Sequence, residues 1–177
     1  MSYLAVAFFL ALGVTISAGA QPKDLQDALN TDQPFWMILR SYRRPANGPE
    51  NECVYAQKIT FNHDYYEFYQ KYMANNQRRF LHLHATLAHG REQGAEPILD
   101  VSEEKDQTGT QYTLRHWDPK EHCGILTLKI NGETHCEMYV WHEFLKPSLQ
   151  YACESVFDRF CSGRGKHWVY KQYCQPW

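Results

Sequence analysis

The run from His135 to Phe144, His-Cys-Glu-Met-Tyr-Val-Trp-His-Glu-Phe, alternates in character at almost every step and begins just after Asn131-Gly132-Glu133. Alternation of this kind belongs to a β-strand, because pleating sends successive side chains to opposite faces. His135, Glu137, Tyr139, Trp141 and Glu143 then share one face, and Cys136, Met138, Val140, His142 and Phe144 share the other. The second set suits packing against a further element, with Cys136 available as a covalent staple. The first set, acid and aromatics together, suits the wall of a cavity in a sheet that closes on itself. A barrel with something inside reconciles the two faces.

The rest of the chain fits one such domain. Residues 1–20 hold no charged side chain, carry the apolar run Leu4 to Leu12 and end in Ala18-Gly19-Ala20, the pattern of a signal peptide. That leaves 21–177 as a single secreted domain, about 157 of the 177 residues, enough to bury one core. The apolar run is too short to span a bilayer. With 18 basic against 20 acidic residues there is no broad field to recruit nucleic acid or an anionic membrane. The partners that remain are small molecules or proteins, and the expected state is a monomer. The six cysteines, Cys53, Cys123, Cys136, Cys153, Cys161 and Cys174, imply three disulfides in an oxidising compartment. Their spacing leaves all 15 connectivities open, and none has the CxxC form of a zinc or redox motif.

Taken in order, Asp24 to Leu29 predicts a short helix with Asp24 in a cap-like position. Strands follow at Phe35 to Tyr42, Cys53 to Thr60 and Tyr65 to Tyr72, with the loop Pro45 to Pro49 and the turns Asn62-His63-Asp64 and Asn75-Asn76 between or after them. Phe80 to Ala88 alternates with Leu81, Leu83, Ala85 and Leu87 on one face and His82 and His84 on the other. Pro97 to Val101 and Gln111 to Trp117 are further strands. Cys123 to Ile130 pairs with the opening strand across Asn131-Gly132, a dipeptide that favours the turn matching strand twist. After Pro147 the spacing becomes helical through Leu149, Ala152, Cys153, Val156, Phe157, Phe160 and Cys161, before an extended tail from Trp168 to Cys174. About eight short antiparallel strands and a final helix suit an up-and-down barrel.

A short leading helix, Trp36 in the first strand, a cysteine opening the second, the Cys-Glu-Met-Tyr strand and a cysteine-bearing final helix together resemble the salivary lipocalins of ticks, the histamine-binding family. The resemblance runs over the whole mature chain. It implies an eight-stranded antiparallel lipocalin barrel with a short N-terminal helix and a C-terminal α-helix packed outside. It also implies two shared disulfides, Cys53–Cys174 and Cys123–Cys153, which leaves Cys136 to Cys161. The implied role is stoichiometric capture of a host mediator during blood feeding, with no cofactor.

The same comparison assigns residues. Glu137 sits where the family places an inward carboxylate and Tyr139 where it places an inward aromatic, the pair that a protonated amine needs for charge and cation–π contact. Tyr42, Tyr112 and Leu114 resemble further pocket residues, although as bare residues they serve equally as core. Trp36 matches the tryptophan that closes the barrel floor in lipocalins. The family's histamine sites draw on several acids, and here Glu137 alone is clear, with Leu114 and the Leu81-Leu83 face standing at comparable positions. Arg40, sharing a face with Trp36 and Tyr42, is placed to neutralise Glu137 or to hold the carboxylate of a leukotriene or fatty acid. Two ligand classes therefore stay open: a biogenic amine such as histamine or serotonin, and a lipid mediator, a sterol included. A third reading makes the barrel a scaffold for a host immune protein such as a complement component. His82 and His84, with His116, His122 and His135 as possible companions, read as a polar outer face and not a metal site. No Ser-His-Asp spacing, nucleophile elbow or glycine-rich phosphate loop supports an enzyme.

Overall fold

The alternating segments form eight antiparallel strands: β1 (Phe35–Arg40), β2 (Glu52–Asn62), β3 (Tyr65–Ala74), β4 (Gln77–His89), β5 (Pro97–Ser102), β6 (Thr110–Asp118), β7 (Cys123–Ile130) and β8 (Glu133–Trp141). The computed structural model describes residues 19–44, 50–89 and 95–177, so residues 1–18 of the expected leader and the Pro45 to Pro49 loop lie outside the described residues. Strands neighbouring in sequence are neighbours in the sheet, and β1 also pairs with β8, which closes the barrel. A two-residue strand, β9 (His167–Trp168), extends the same sheet by pairing with Leu39 and Arg40 of β1. Helix α1 (Pro22–Leu29) precedes the barrel and α2 (Cys153–Phe160) follows it. The tight turns are made where the residues allow positive φ: Asn131 at 51° with Gly132 at 81°, and Asn75 at 50° with Asn76 at 58°.

Alternation divides the apolar residues into two cores. Phe35, Met37, Phe68, Leu83, Leu114 and Leu126 fill the barrel interior, joined at one end by Leu25, Ala28 and Leu29 of α1. Trp141 holds that helix, its indole N–H donating to the Ala28 carbonyl at 3.0 Å. The second core lies outside the barrel, where Ile38, Ile125, Met138 and Val140 pack under Phe157 of α2. All three disulfides run through this outer core. Cys123–Cys153 and Cys136–Cys161 fasten α2 to β7 and β8, and Cys53–Cys174 fastens the tail to the start of β2.

Four expectations are corrected. The ladder of β1 and β8 slips between Met37 and Leu39, a bulge that inserts Ile38 and resets the alternation. Phe35, Met37 and Arg40 consequently stand opposite the inward Trp141, Tyr139 and Glu137, while Trp36 stands opposite the outward Val140. Trp36 is therefore no floor of the cavity. Its indole N–H donates to His142 Nδ1 at 3.0 Å, and its ring packs on Tyr55 and Tyr170 in the outer core. Next, β8 stops at Trp141, because His142–Phe144 turn into a 3-10 helix whose first N–H bonds to the Pro34 carbonyl at 3.0 Å. Glu143 thus leaves the inward face. The final helix starts at Cys153 and not near Leu149, since Leu149 has φ of 53°, outside the helical region. Lastly, α1 begins two residues early: Pro22 occupies its first turn, and Asp24 inside it accepts the Gln21 N–H at 2.7 Å.

Candidate functional site

The interior narrows to a cavity of about 200 Å³. Phe35, Tyr66, Phe68, Leu126, Tyr112 and Tyr139 are among its walls. Beyond Tyr139, two residues earlier on β8, lies Glu137, only 1 % exposed. Its position follows from the strand: alternation turns Glu137 and Tyr139 inward together, while Cys136 and Met138 turn to the outer core.

The chain after β1 completes the site. Ser41 is clamped to β8, its N–H donating to the Cys136 carbonyl at 2.9 Å and its hydroxyl oxygen accepting the Cys136 N–H at 2.9 Å. That clamp carries Tyr42 across Glu137. The Tyr42 hydroxyl donates to one carboxylate oxygen, and the Tyr139 hydroxyl donates to the other at 2.9 Å. Both carboxylate oxygens are therefore satisfied by neutral donors. His135 stacks edge-on against Tyr42 with ring centres 5.5 Å apart and reaches the Ser41 hydroxyl at 3.2 Å.

Arg40 faces Glu137 across the β1–β8 ladder, but its guanidinium is committed elsewhere. Nε donates to the Tyr42 carbonyl at 3.1 Å, and a terminal nitrogen donates to Glu50 at 2.6 Å. Arg40 is 1 % exposed and the Glu50 side chain 49 %, so the buried cation reaches toward solvent for its partner. Glu137 is left without a hydrogen-bonded cation among the described residues. Burial raises its carboxyl above the ordinary range, against the opposing pull of the Tyr42 and Tyr139 hydroxyls and of Arg40. Burial and the Glu137 charge likewise push the Tyr42, Tyr112 and Tyr139 hydroxyls up, so all three stay protonated donors.

The site thus gathers Glu137, Tyr139, Tyr42 and Tyr112, with Arg40 at its edge. Of these only Tyr112 and Tyr139 line the cavity itself, and Glu137 and Tyr42 join it through the hydrogen bonds from Tyr139 to Glu137 and from Tyr42 to Glu137. Leu114 is buried in the interior core away from the cavity walls, and Trp36 lies outside the barrel. Phe35, Tyr66 and Phe68 were not singled out by sequence. β3 carries aromatics on both faces, Tyr65 and Tyr69 outward against Tyr66 and Phe68 inward, so its alternation gives no preferred face. Only its pairing with the cleanly alternating β4 orients it. His82 and His84 stand on the outer face of β4. His122 stacks on Phe144, His135 lies beside Tyr42, and His116 sits in β6, so none of the three joins that pair.

Comparison with known proteins agrees with this architecture. No curated protein sequence gives a match. Among solved structures, the crystal structure of the AM182–serotonin complex superposes with a TM-score of 0.63 at 17% identity, covering 86% of this chain and 92% of that one. The siderocalin Ex-FABP, a protein with dual ligand specificities, gives 0.47 at 10% identity, covering 82% and 93%. The first shares the closed lipocalin-type barrel. The model of the tick histamine binding protein family matches residues 17–176, and the chain is accordingly a member of that family of binding proteins.

Proposed function

We propose that the protein is a secreted lipocalin that captures a biogenic amine, histamine or serotonin, in its barrel and so withdraws a host mediator by stoichiometric binding. The observation that carries this reading is the buried Glu137 carboxylate, bonded to tyrosine hydroxyls and, among the described residues, to no cation. A protonated amine is the missing partner. It would replace a neutral hydroxyl with a charge-assisted hydrogen bond, roughly twice as strong, and the faces of Tyr112 and Tyr139 would supply cation–π attraction. Binding would also draw the proton off Glu137, because an adjacent cation favours the ionised acid.

Size and charge favour an amine over a lipid. The cavity of about 200 Å³ is smaller than the roughly 300–1,000 Å³ of pockets for drug-sized ligands, and suits a one- or two-ring amine. Arg40, the cation that a fatty acid or leukotriene carboxylate would need, is already paired with Glu50. The family's name and the serotonin held by AM182 point the same way. The test is calorimetric titration with histamine and serotonin. Glu137→Gln is expected to weaken the better ligand at least about tenfold, about 1.4 kcal/mol. Unchanged affinity removes Glu137 as counter-ion, and silence with both amines alongside saturable fatty-acid binding overturns the amine reading.

A further inference from the structure

A second cluster of chemistry lies on the outside of the barrel, on β3 and β4. His82 and His84 are two residues apart in β4, so both rings project from the outer face while Leu83 and Ala85 fill the interior. Glu67 of β3 is directly opposite His84 in the ladder and one step diagonal to His82. Around it, His82 Nε2 lies 2.7 Å from one Glu67 oxygen, and the Tyr65 hydroxyl lies 2.7 Å from His84 Nδ1 and 3.3 Å from the other Glu67 oxygen. The two imidazole centres are 4.7 Å apart.

We propose that Glu67, His82 and His84 form a surface site for a divalent transition ion of the zinc class. One donor atom from each lies within 4.8 Å of the others. Zinc bonds of about 2.0–2.2 Å at tetrahedral angles place donors about 3.3 Å apart. The widest pair therefore needs to close by no more than about 1.5 Å, and His82 Nε2, 2.7 Å from a Glu67 oxygen, to draw back by about 0.6 Å, both within reach of side-chain rotation. Two imidazole nitrogens and one carboxylate oxygen are a donor set that zinc takes, with water in the open position. The backbone beneath is regular, since β3 and β4 pair without a break from Tyr65↔Thr86 to Ala74↔Gln77. Tyr65 supplies the outer support usual for such sites, touching the His84 ring and the Glu67 carboxylate together.

Access agrees with the geometry. His82 is 45 % exposed and Glu67 22 %, which admits an ion directly from solvent. Lys105, 5.0 Å from the Tyr65 ring centre, is the nearby cation that opposes binding. The site is independent of the barrel cavity, on the opposite face of the sheet, so metal and amine bind without competing.

The experiment is titration of Zn²⁺ into the chelator-stripped, disulfide-intact mature protein in a non-coordinating buffer. One equivalent is expected to bind saturably, and His82→Gln and His84→Gln are each expected to weaken it tenfold or more. Tyr65→Phe should weaken it by a smaller factor. His63→Gln, at the β2–β3 turn, should leave it unchanged, and serotonin or histamine titrations should be the same with and without metal. The substituted residues lie at the surface, and unaltered melting curves of the metal-free variants show that they fold. Absence of saturable Zn²⁺ binding, wild-type affinity in both histidine variants, or an equal loss in His63→Gln overturns the proposal.

Discussion

A carboxylate sealed inside a barrel is destabilising when ionised, and Glu137 is met there by two tyrosine hydroxyls, with Arg40 turned away to Glu50. Its folded-state value is raised above that of the unfolded chain, chiefly by burial. The sign follows: the protonated acid favours folding below the ordinary carboxylate range, and that contribution is lost as pH rises through the folded value. Glu137→Gln, which cannot ionise, should therefore raise the denaturation midpoint of the ligand-free protein at about pH 7–8 and leave it unchanged near about pH 4. Urea unfolding at the two pH values checks this. A neutral-pH midpoint at or below wild type would show that the ionised acid is well accommodated. With the expected rise, the substitution stabilises the empty protein while weakening its ligand, a trade that places the residue in function and not in folding. The inward facing of Glu137 was legible from strict alternation in the strand that holds it. The Arg40–Glu50 pair was not, because it depends on the path of the chain after β1, where no periodicity operates.

β1 shows how one inserted residue redirects a strand. Counting by twos from Trp36 puts Ile38, Arg40 and Tyr42 on its face. The bulge at Ile38 breaks that count, sending Arg40 inward and leaving Trp36 under the tail. No glycine or proline marks the bulge, and every residue from Phe35 to Arg40 is buried, so hydrophobicity carries no face signal there. β8, with its sharp contrast between acid-aromatic and aliphatic faces, was readable; β1 is oriented only by pairing with it. Trp36→Phe should cost ~1–3 kcal/mol, through lost volume and an unpaired His142 nitrogen, without changing amine affinity. Chemical denaturation and calorimetry together check both halves, and a drop in amine affinity at unchanged stability would return Trp36 to the cavity. The final helix makes a similar point. Apolar spacing continues back to Leu149, but spacing describes where side chains would point in a helix and does not forbid the positive φ that ends it.

At the scale of the molecule, the eight-stranded barrel was legible because turn residues and alternation recur at regular intervals, whereas cysteine spacing alone leaves 15 pairings. The bond between Cys53 and Cys174 closes a separation of 121 residues. On the chain-entropy model its removal by the double substitution Cys53→Ala and Cys174→Ala should cost ~4–5 kcal/mol, read as a lower denaturation midpoint with far-UV circular dichroism retained before the transition. A loss under about 1 kcal/mol would mean that the tail is held by packing alone. The three bridges also share one side: their strand ends lie on β2, β7 and β8, and β3 to β6 carry none. The barrel is in effect splinted along one flank and held along the other by strand pairing and packing alone. Any opening that admits or releases a molecule from the interior would be expected along the wall that no bridge crosses, so that residence time would depend on β3 to β6 as well as on the residues that hold the ligand.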